Sequence, residues 1–388
     1  KRFETARYGK EADWLRSYED YMGIPNSQRA IRKTEKSKVF IKIPKTKTLA
    51  AYGQIVDVLF AGQKFPLSIE PTVLPEGVTG NVTFDPKEPE QLKEVTNPYG
   101  HNDDGNELAP GSTLNSLELG PLADKLEGID VKEGIGGTPT AATFSPAMVA
   151  AKKMEKKIMD QLEESNASKH LRSTAFEMAL FGTGIIKGPF AVNKEYPDWS
   201  EEGEYTPRIK IIPQLNHVSV WNFYPDPDAN NMDEAQYVVE RHKLSRTQLR
   251  ALKRRPFFRE KVIEECVEMG ESYLKESWED TLADYELHHD VNRFEVLEYW
   301  GILDKDYLDS EDVDLPKEFD DAEQVQANIW LCQGKIIRLV INPFKPVRIP
   351  YMAVPYELNP YSFFGVGIAE NMEDTQALMN GFMRMSVD

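Results

Sequence analysis

The first half of the chain carries apolar residues every three or four positions, which is the spacing of an amphipathic helix. This spacing predicts helices over about 3–22, 48–60, 146–162 and 168–181. In much of the second half, apolar and polar residues alternate as they do in half-buried strands. The alternation predicts strands at 184–189, 208–226, 237–245, 294–304 and 328–341, and one more at 65–70. The predicted fold class is therefore α+β, with mainly antiparallel strands.

Single residues mark several of the predicted boundaries. Ser145 precedes a proline and is expected to cap the third helix, because Ser favours the N-cap and Pro the first helical position. Gly182 is expected to end the fourth helix in the left-handed conformation. Ser245 is expected to cap a short helix over SRTQLRALKR. Gln333 and Gly334 stand between two apolar runs, which predicts a tight hairpin turn.

A change in composition divides the chain into four parts. From about residue 75 to 143 the residues Gly, Pro, Asn, Asp and Thr dominate, which is typical of long loops rather than of a packed core. We therefore expect a helical and strand part at 1–74, an extended loop-rich insertion or arm at 75–143, an α+β body at 144–358 and the start of a further helix at 359–388.

The bulk composition restricts the class of protein. Two cysteines in 388 residues, Cys266 and Cys332, do not form a disulfide framework and favour a reducing compartment. No apolar run approaches the roughly 20 residues that cross a bilayer, so we expect no membrane span. The chain begins at Lys1 rather than Met and ends at Asp388 within a helical pattern. We therefore expect a piece of a longer protein.

Charge is unevenly distributed along the chain. The net charge of −18 weighs against a conventional nucleic-acid binder, which must neutralise phosphates. Residues 1–50 nevertheless hold 13 Lys and Arg against 6 Asp and Glu. This basic arm is expected either to contact an acidic partner or to belong to a solvated surface of mixed charge.

Two glycine-rich stretches are candidates for phosphate-binding loops. Gly365 and Gly367 lack the third glycine of a dinucleotide fingerprint, and Glu370 stands in its place. Gly182 to Gly188 follows a predicted helix and precedes a strand, the reverse of the order in a phosphate loop. We expect the first pair to let the chain turn into a helix, whose acidic first turn suits the helix dipole, and the second stretch to join a helix to a strand.

Candidate metal and catalytic residues are sparse. DPDANNMDEA, residues 226–235, resembles the start of a calcium loop, but Asn231 replaces the required glycine and Tyr237 the final glutamate. An Asx-turn is the simpler interpretation. The six histidines are scattered without metal-ligand spacing. We predict no enzyme activity and no cofactor, while a metal- or phosphate-dependent enzyme that uses Asp226, Asp228 and Asp233 or the 182–188 loop stays open as an alternative.

Aromatic residues cluster near the predicted strand ends. Such rings belong either to the core or to interfaces. We expect most of them in the core, and as a set they favour a protein with surface to bury against copies or partners. They are Trp221, Phe223, Tyr224, Tyr299, Trp300, Tyr351, Tyr356, Tyr361, Phe363 and Phe364.

Five stretches, in order along the chain, resemble segments of phage portal proteins, closest in character to those of short-tailed phages. They are AYGQIVDVLFAGQKFPLSIEPT (51–72), LRSTAFEMALFGTGIIKGPF (171–190), HVSVWNFYPDPDANNMDEAQYVVERHKLSRTQL (217–249), EVLEYWGIL (295–303) and IPYMAVPYELNPYSFFGVGIAENMEDTQALMN (349–380). The insertion at 75–143 has no counterpart in this resemblance.

The resemblance implies a structural ring subunit, normally one of twelve, at one vertex of a viral capsid. Such a ring forms the channel for DNA packaging and ejection, passes double-stranded DNA without sequence specificity, and contacts the major capsid protein, terminase and tail adaptors. Residues 1–74 and 144–358 would then form the wing, and 359–388 would begin the stem helix. The expected location is the virion, after assembly in the host cytoplasm. Another neck or tail adaptor protein stays open as an alternative.

The predicted stem helix supplies the candidate functional residues. Helical spacing places Met372, Met379 and Met383 on one face, with Thr375 and Gln376 nearby. Asn371, Asn380 and Arg384 fall elsewhere on the helix. We expect these eight residues at a subunit interface or at the channel, with a solvated polar face as the alternative.

Overall fold

A computed structural model describes residues 2–24, 37, 39–60, 65, 67–70, 82–84, 142–144, 146–199, 205–283, 293–310, 323–342 and 348–387. The chain divides into two compact units. The larger unit joins Lys1–Ala61 with Leu162–Asp388, and the smaller is Gly62–Gln161. No helix in the described part of the chain is long and apolar enough to cross a membrane.

The helices follow the predicted order. They are α1 (Arg2–Met22), α2 (Ile43–Phe60), α3 (Pro146–Glu164), α4 (Ala167–Phe181), α5 (Arg246–Ala251), α6 (Glu260–Met269), α7 (Ser277–Ala283), α8 (Lys305–Ser310), α9 (Ile368–Asn371) and α10 (Glu373–Val387). Two of the predicted helix boundaries are confirmed, whereas the predicted cap Ser145 lies outside the described residues. Gly182 closes α4 at φ 88°, and Ser245 and Gln248 form a capping box at the start of α5.

The strands form antiparallel sheets. They are β1 (Val82–Phe84), β2 (Ala142–Phe144), β3 (Thr183–Tyr196), β4 (Arg208–Val218), β5 (Phe223–Pro225), β6 (Tyr237–Ser245), β7 (Arg293–Asp304), β8 (Gln324–Cys332), β9 (Lys335–Ile341) and β10 (Tyr351–Pro355). In the larger unit β10-β3-β4 form a three-stranded sheet and β5-β6-β7-β8-β9 a five-stranded one. Gln333 and Gly334 have positive φ at the β8–β9 turn, which confirms the predicted hairpin. The α+β prediction is confirmed.

Aromatic side chains fill the main core of the larger unit. Trp14 of α1 is fully buried, with its ring centroid 5.5 Å from Trp221 and 4.8 Å from Phe364, both edge-on. Trp221 also stacks on Trp278 of α7 at 4.6 Å. Among the aromatic residues singled out in the sequence, most are buried here as expected, whereas Tyr356 and Tyr361 are exposed.

Helix α1 is held in place by Arg7. Its guanidinium donates hydrogen bonds to the carbonyl oxygens of Val220, Trp221 and Phe223 at 2.6–3.0 Å. The same group lies 3.7 Å from the ring centroid of Tyr224 and pairs with Glu11 one turn along α1. These contacts satisfy a buried cation, which would otherwise be costly to remove from water.

Two expectations concern the stretch between α2 and α3. The strand predicted at 65–70 is wrong, since Phe65 and residues 67–70 form no strand. Pro66 lies within this stretch and Pro71 follows it, and neither has the backbone N–H that a strand ladder needs. Of the insertion predicted at 75–143, the structure describes only β1 and the first residues of β2, which pair antiparallel. The rest of that prediction lies outside the described residues.

Candidate functional site

A cluster of buried charges joins the two sheets of the larger unit. Glu240 of β6 and Glu298 of β7 lie directly opposite each other, where two like charges repel. The ammonium of Lys187, from β3 in the other sheet, lies 2.6 Å from Glu240 Oε2 and 2.5 Å from Glu298 Oε2. The side chains of all three residues are at least 89% buried. One cation therefore compensates two carboxylates across the gap between the sheets.

Polar neighbours complete the cluster. Tyr351 of β10 donates its hydroxyl to Glu240 Oε2 at 2.5 Å, and the Trp300 indole N–H donates to Glu298 Oε1 at 2.7 Å. His242 Nε2 lies 2.8 Å from Glu298 Oε2, and the imidazole stacks on the Trp330 ring. Each carboxylate thus meets several donors, as a buried charge requires.

The pKa values in the cluster follow from these contacts. Burial alone would raise the pKa of Glu298, but Lys187 and His242 outweigh it and lower the pKa to about 2. Burial likewise disfavours the charged form of Lys187, yet the two carboxylates raise its pKa. Burial and the neighbouring carboxylates raise the pKa of Tyr351. Glu298 and Lys187 therefore stay charged at neutral pH.

Glu240, His242 and Glu298 lie close enough together to share a cation. The Lys187 ammonium already bonds to both carboxylates, so it performs the role that a metal ion would have there. Sequence analysis missed this cluster and treated His242 as isolated. One signal was present: Glu298 occupies an inward position in the alternation Phe294, Val296, Glu298, Trp300.

The two glycine-rich stretches meet each other in the structure. A Cβ at Gly182 would lie 2.5 Å from the carbonyl oxygen of Gly365, and one at Gly367 would lie 2.4 Å from that of Leu180. Thr183 Oγ1 accepts a hydrogen bond from the Gly365 N–H at 2.9 Å. The glycines therefore allow two backbone segments to touch where the chain enters α9, as the expected helix junction requires.

The acidic side chains of the turn at 226–235 bond to groups within the same segment of the chain. Asp226 accepts hydrogen bonds from the N–H groups of Asp228 at 3.2 Å and Gln236 at 3.3 Å. The first of these is the Asx-turn that the sequence predicted. Asn231 and Glu234 bond to each other in the same turn. The carboxylate that would begin a calcium loop is thus used within the chain.

Helix α10 turns a polar face towards an extended segment of the same chain, residues 39–43. Gln376 accepts from the Ile43 N–H and donates to the Ile41 carbonyl, and Asn380 accepts from the Ile41 N–H at 2.8 Å. Arg384 donates to the Val39 carbonyl at 3.1 Å. The three side chains are spaced four residues apart, so they lie on one face of α10.

The structure thereby separates the eight candidate residues into two groups. Gln376 and Asn380 are only 1% and 5% exposed, and both are buried against their own chain rather than in water. Both side chains form hydrogen bonds with the backbone of residues 41–43. Arg384 lies on the same face and is half-buried. The other five candidates lie outside this face: Asn371, Met372, Thr375, Met379 and Met383.

The outer face of α10, opposite Gln376, Asn380 and Arg384, carries apolar side chains beside the polar Thr375 and Ser386. Leu378, Phe382 and Met385 are 63%, 59% and 70% exposed, and Met379, Met383 and Val387 are exposed as well. A helix on a solvated surface shows the opposite arrangement, with apolar residues inside and polar residues outside. Exposed apolar side chains in this number on one helix favour a protein interface.

Comparison with known proteins gives a match to the half of the chain that contains α10. Residues 200–388 match the family model described as phage SU10 portal protein. This match supports a phage portal protein. The match includes β4 to β10, so it covers Glu240 and Glu298 of the charge cluster, whereas Lys187 precedes it. No curated protein matches the portal chain.

Proposed function

We propose that this portal chain is a structural subunit of a twelve-membered ring at one capsid vertex. The ring forms the channel for DNA packaging and ejection, and it contacts the major capsid protein, the terminase and the tail adaptors. Its role involves no catalytic step and no cofactor. The virion is its final location, after assembly in the host cytoplasm. The observation that carries the proposal is the set of exposed apolar side chains on α10 in a chain whose residues 200–388 match a portal family.

The physical argument for a ring rests on these side chains. Six large apolar side chains on one helix of 15 residues stay uncovered in the single chain. Covering them with another subunit removes apolar area from water, which favours assembly. Met379 and Met383 are the candidate interface residues on this surface, and Met372 precedes it. Asn371, Thr375 and Arg384 are proposed as polar residues at the border of the interface or towards the channel.

The charge of the chain fits a channel through which DNA slides. Tight phosphate binding would hold DNA in place, and its strength grows with the number of phosphates that Lys and Arg neutralise. The net charge of −18 opposes such binding. Residues 1–74 and 144–358 are proposed as the wing, 75–143 as an insertion or arm, and 359–388 as the start of the stem.

Electron microscopy and native mass spectrometry of the purified protein test the proposal. We expect closed rings of twelve chains. A stable monomer at all concentrations would contradict it. Met379→Asp should abolish ring assembly, because it places a carboxylate in an apolar interface. Thr247→Asp is the matched control: it adds the same charge to the exposed first turn of α5, where the helix dipole tolerates it.

A further inference from the structure

The two cysteines of the chain meet in the core of the larger unit. Cys266 lies on α6, and Cys332 ends β8, 66 positions further along the chain. Both residues are fully buried. The Cys266 thiol donates a hydrogen bond to the Cys332 carbonyl oxygen at 3.6 Å. The two side chains are therefore neighbours where α6 packs against the sheet.

Contacts at both ends of α6 hold this helix against the hairpin of β8 and β9. Just before the helix, the Arg259 N–H donates to the Ile337 carbonyl oxygen at 2.8 Å. Just after the helix, the Gln333 side chain donates to the Gly270 carbonyl oxygen at 2.5 Å. The backbone segments that carry the two cysteines are thus fixed on either side of the pair. Their approach is a property of the fold rather than of two mobile side chains.

The surroundings of the pair are apolar and closed. Because both sulfur atoms lie in the core, the folded chain keeps them away from cysteines of other molecules, and the sequence contains no third cysteine. The fold therefore favours one pairing, that of the two sulfur atoms with each other. The buried residues of the same cluster are Leu249, Leu252, Ile263, Val267, Phe294, Val296 and Ile337.

Burial raises the pKa of both thiols, and it raises the pKa of Cys332 to about 12. At Cys266 the Cys332 thiol and the Lys335 ammonium partly offset the rise in pKa, so Cys266 is the first of the two to ionise. The thiolate is the reactive form, so both thiols react slowly in the closed fold. Reaction therefore takes place while the chain folds or when α6 opens locally.

We propose that Cys266 and Cys332 form a reversible disulfide that joins α6 to β8 in oxidising surroundings. The oxidant is a low-molecular-weight disulfide such as oxidised glutathione. The Cys266 thiolate attacks one sulfur of the oxidant, and the other sulfur leaves as a thiolate that takes up a proton. The Cys332 sulfur then attacks the Cys266 sulfur of the mixed disulfide, and the second reagent thiol leaves. Two protein thiols are oxidised, and one reagent disulfide is reduced to two thiols.

The bond would act on stability and respond to the compartment. It links residues 66 positions apart, which restricts the unfolded chain and so stabilises the fold. The pair stays reduced in a reducing cytoplasm and closes where disulfides persist, as in a released virion. This assignment to compartments rests on the proposed function, whereas the bond itself does not.

The first test measures how strongly the fold favours the bond. The purified full chain is equilibrated with reduced and oxidised glutathione, once during refolding to the native state and once in concentrated urea. Free thiols are then blocked, and bridged chains are counted by intact mass. We expect the ratio of bridged to reduced chains to be at least about tenfold higher in the folded protein. An equal or smaller ratio in the folded protein would overturn the proposal.

The second test compares thermal midpoints before and after oxidation. The midpoint of the wild type should rise on oxidation and return to its starting value with dithiothreitol. Cys266→Ala and Cys332→Ala each keep one thiol, so the midpoint of each variant should not change on oxidation. Circular dichroism verifies that the variants fold, and the first test needs neither of them. A wild-type midpoint that falls on oxidation would show that the bond does not fit the fold.

The two proposals fail separately, because neither test depends on ring assembly. If the wild type forms rings and its folded state does not favour the bond, the ring stands and this inference is wrong. If the bond forms in a chain that assembles no rings, the proposed function is wrong and the disulfide stands.

Discussion

The ammonium of Lys187 lies 2.6 Å from a carboxylate oxygen of Glu240, and this contact joins the three-stranded sheet to the five-stranded sheet. Without it, Glu240 and Glu298 would face each other as buried like charges on adjacent strands. Lys187 therefore compensates the two carboxylates of the five-stranded sheet and also connects the two sheets.

Lys187→Met should lower the free energy of unfolding by about 3–5 kcal/mol, since it leaves two buried carboxylates without their cation. Urea denaturation at neutral pH measures the loss. Lys335→Met is the control, because Lys335 pairs with Glu265 at the surface, where solvent screening leaves such a pair little effect on stability. Adding Glu240→Gln to Lys187→Met should restore part of the stability, because a single carboxylate then remains. Equal losses in Lys187→Met and Lys335→Met would show that the cluster is not a major stabilising feature.

The lowered pKa of Glu298 predicts that the stability of the fold depends on pH. Its pKa falls from an ordinary value near 4.5 to about 2 in the folded chain. A lowered pKa contributes stability that is present above the unfolded value and lost as the pH falls through the folded one. At about 1.4 kcal/mol per pKa unit, this contribution is about 3 kcal/mol at neutral pH.

The measurement compares the wild type with Glu298→Gln at several pH values. The difference in the free energy of unfolding between the wild type and the variant should shrink as the pH falls from about 5 to about 2. The reason is that the variant has no carboxyl group to titrate at this position. Glu265→Gln, at an exposed position, should follow the wild type throughout. A constant difference between wild type and Glu298→Gln across that range would contradict the prediction.

Sequence patterns predicted the elements whose determinants are local. Gly182, Ser245 and the Gln333–Gly334 turn each act through their own backbone, so their roles were visible in the chain. The strand at 184–189 was predicted too short because its continuation to Tyr196 depends on pairing with β4, which no local signal shows.

Contacts between distant segments were not visible in the sequence. Lys187 meets Glu240 and Glu298 only after two sheets pack together. Gln376 and Asn380 were assigned to the interface or channel because a helical pattern shows which residues share a face but not what that face contacts. The α10 surface on which they lie is set by residues 39–43, more than 300 positions away.

The glycine contact between 182 and 365–367 predicts a steric effect. Gly367→Ala should lower the free energy of unfolding by about 1–3 kcal/mol, because its Cβ would approach the Leu180 carbonyl and force the two segments apart. Gly381→Ala is the matched control, since no atom lies within 4 Å of its Cβ position. It lies within α10 and should instead stabilise the chain by up to about 1 kcal/mol. Thermal and urea midpoints distinguish these opposite signs; a loss in both variants would contradict the steric explanation.

The polar face of α10 predicts local protection from hydrogen exchange. The Ile41 N–H donates to Asn380 Oδ1, so Asn380→Ala removes its acceptor and should increase the exchange rate of that amide. The free energy of unfolding should fall by about 1–3 kcal/mol, because the amide stays partly buried without a partner. Thr375→Ala, at an exposed position just outside this face, is the control and should change neither quantity. Exchange at Ile41 as slow in Asn380→Ala as in the wild type would mean that residues 39–43 are held by contacts other than this hydrogen bond.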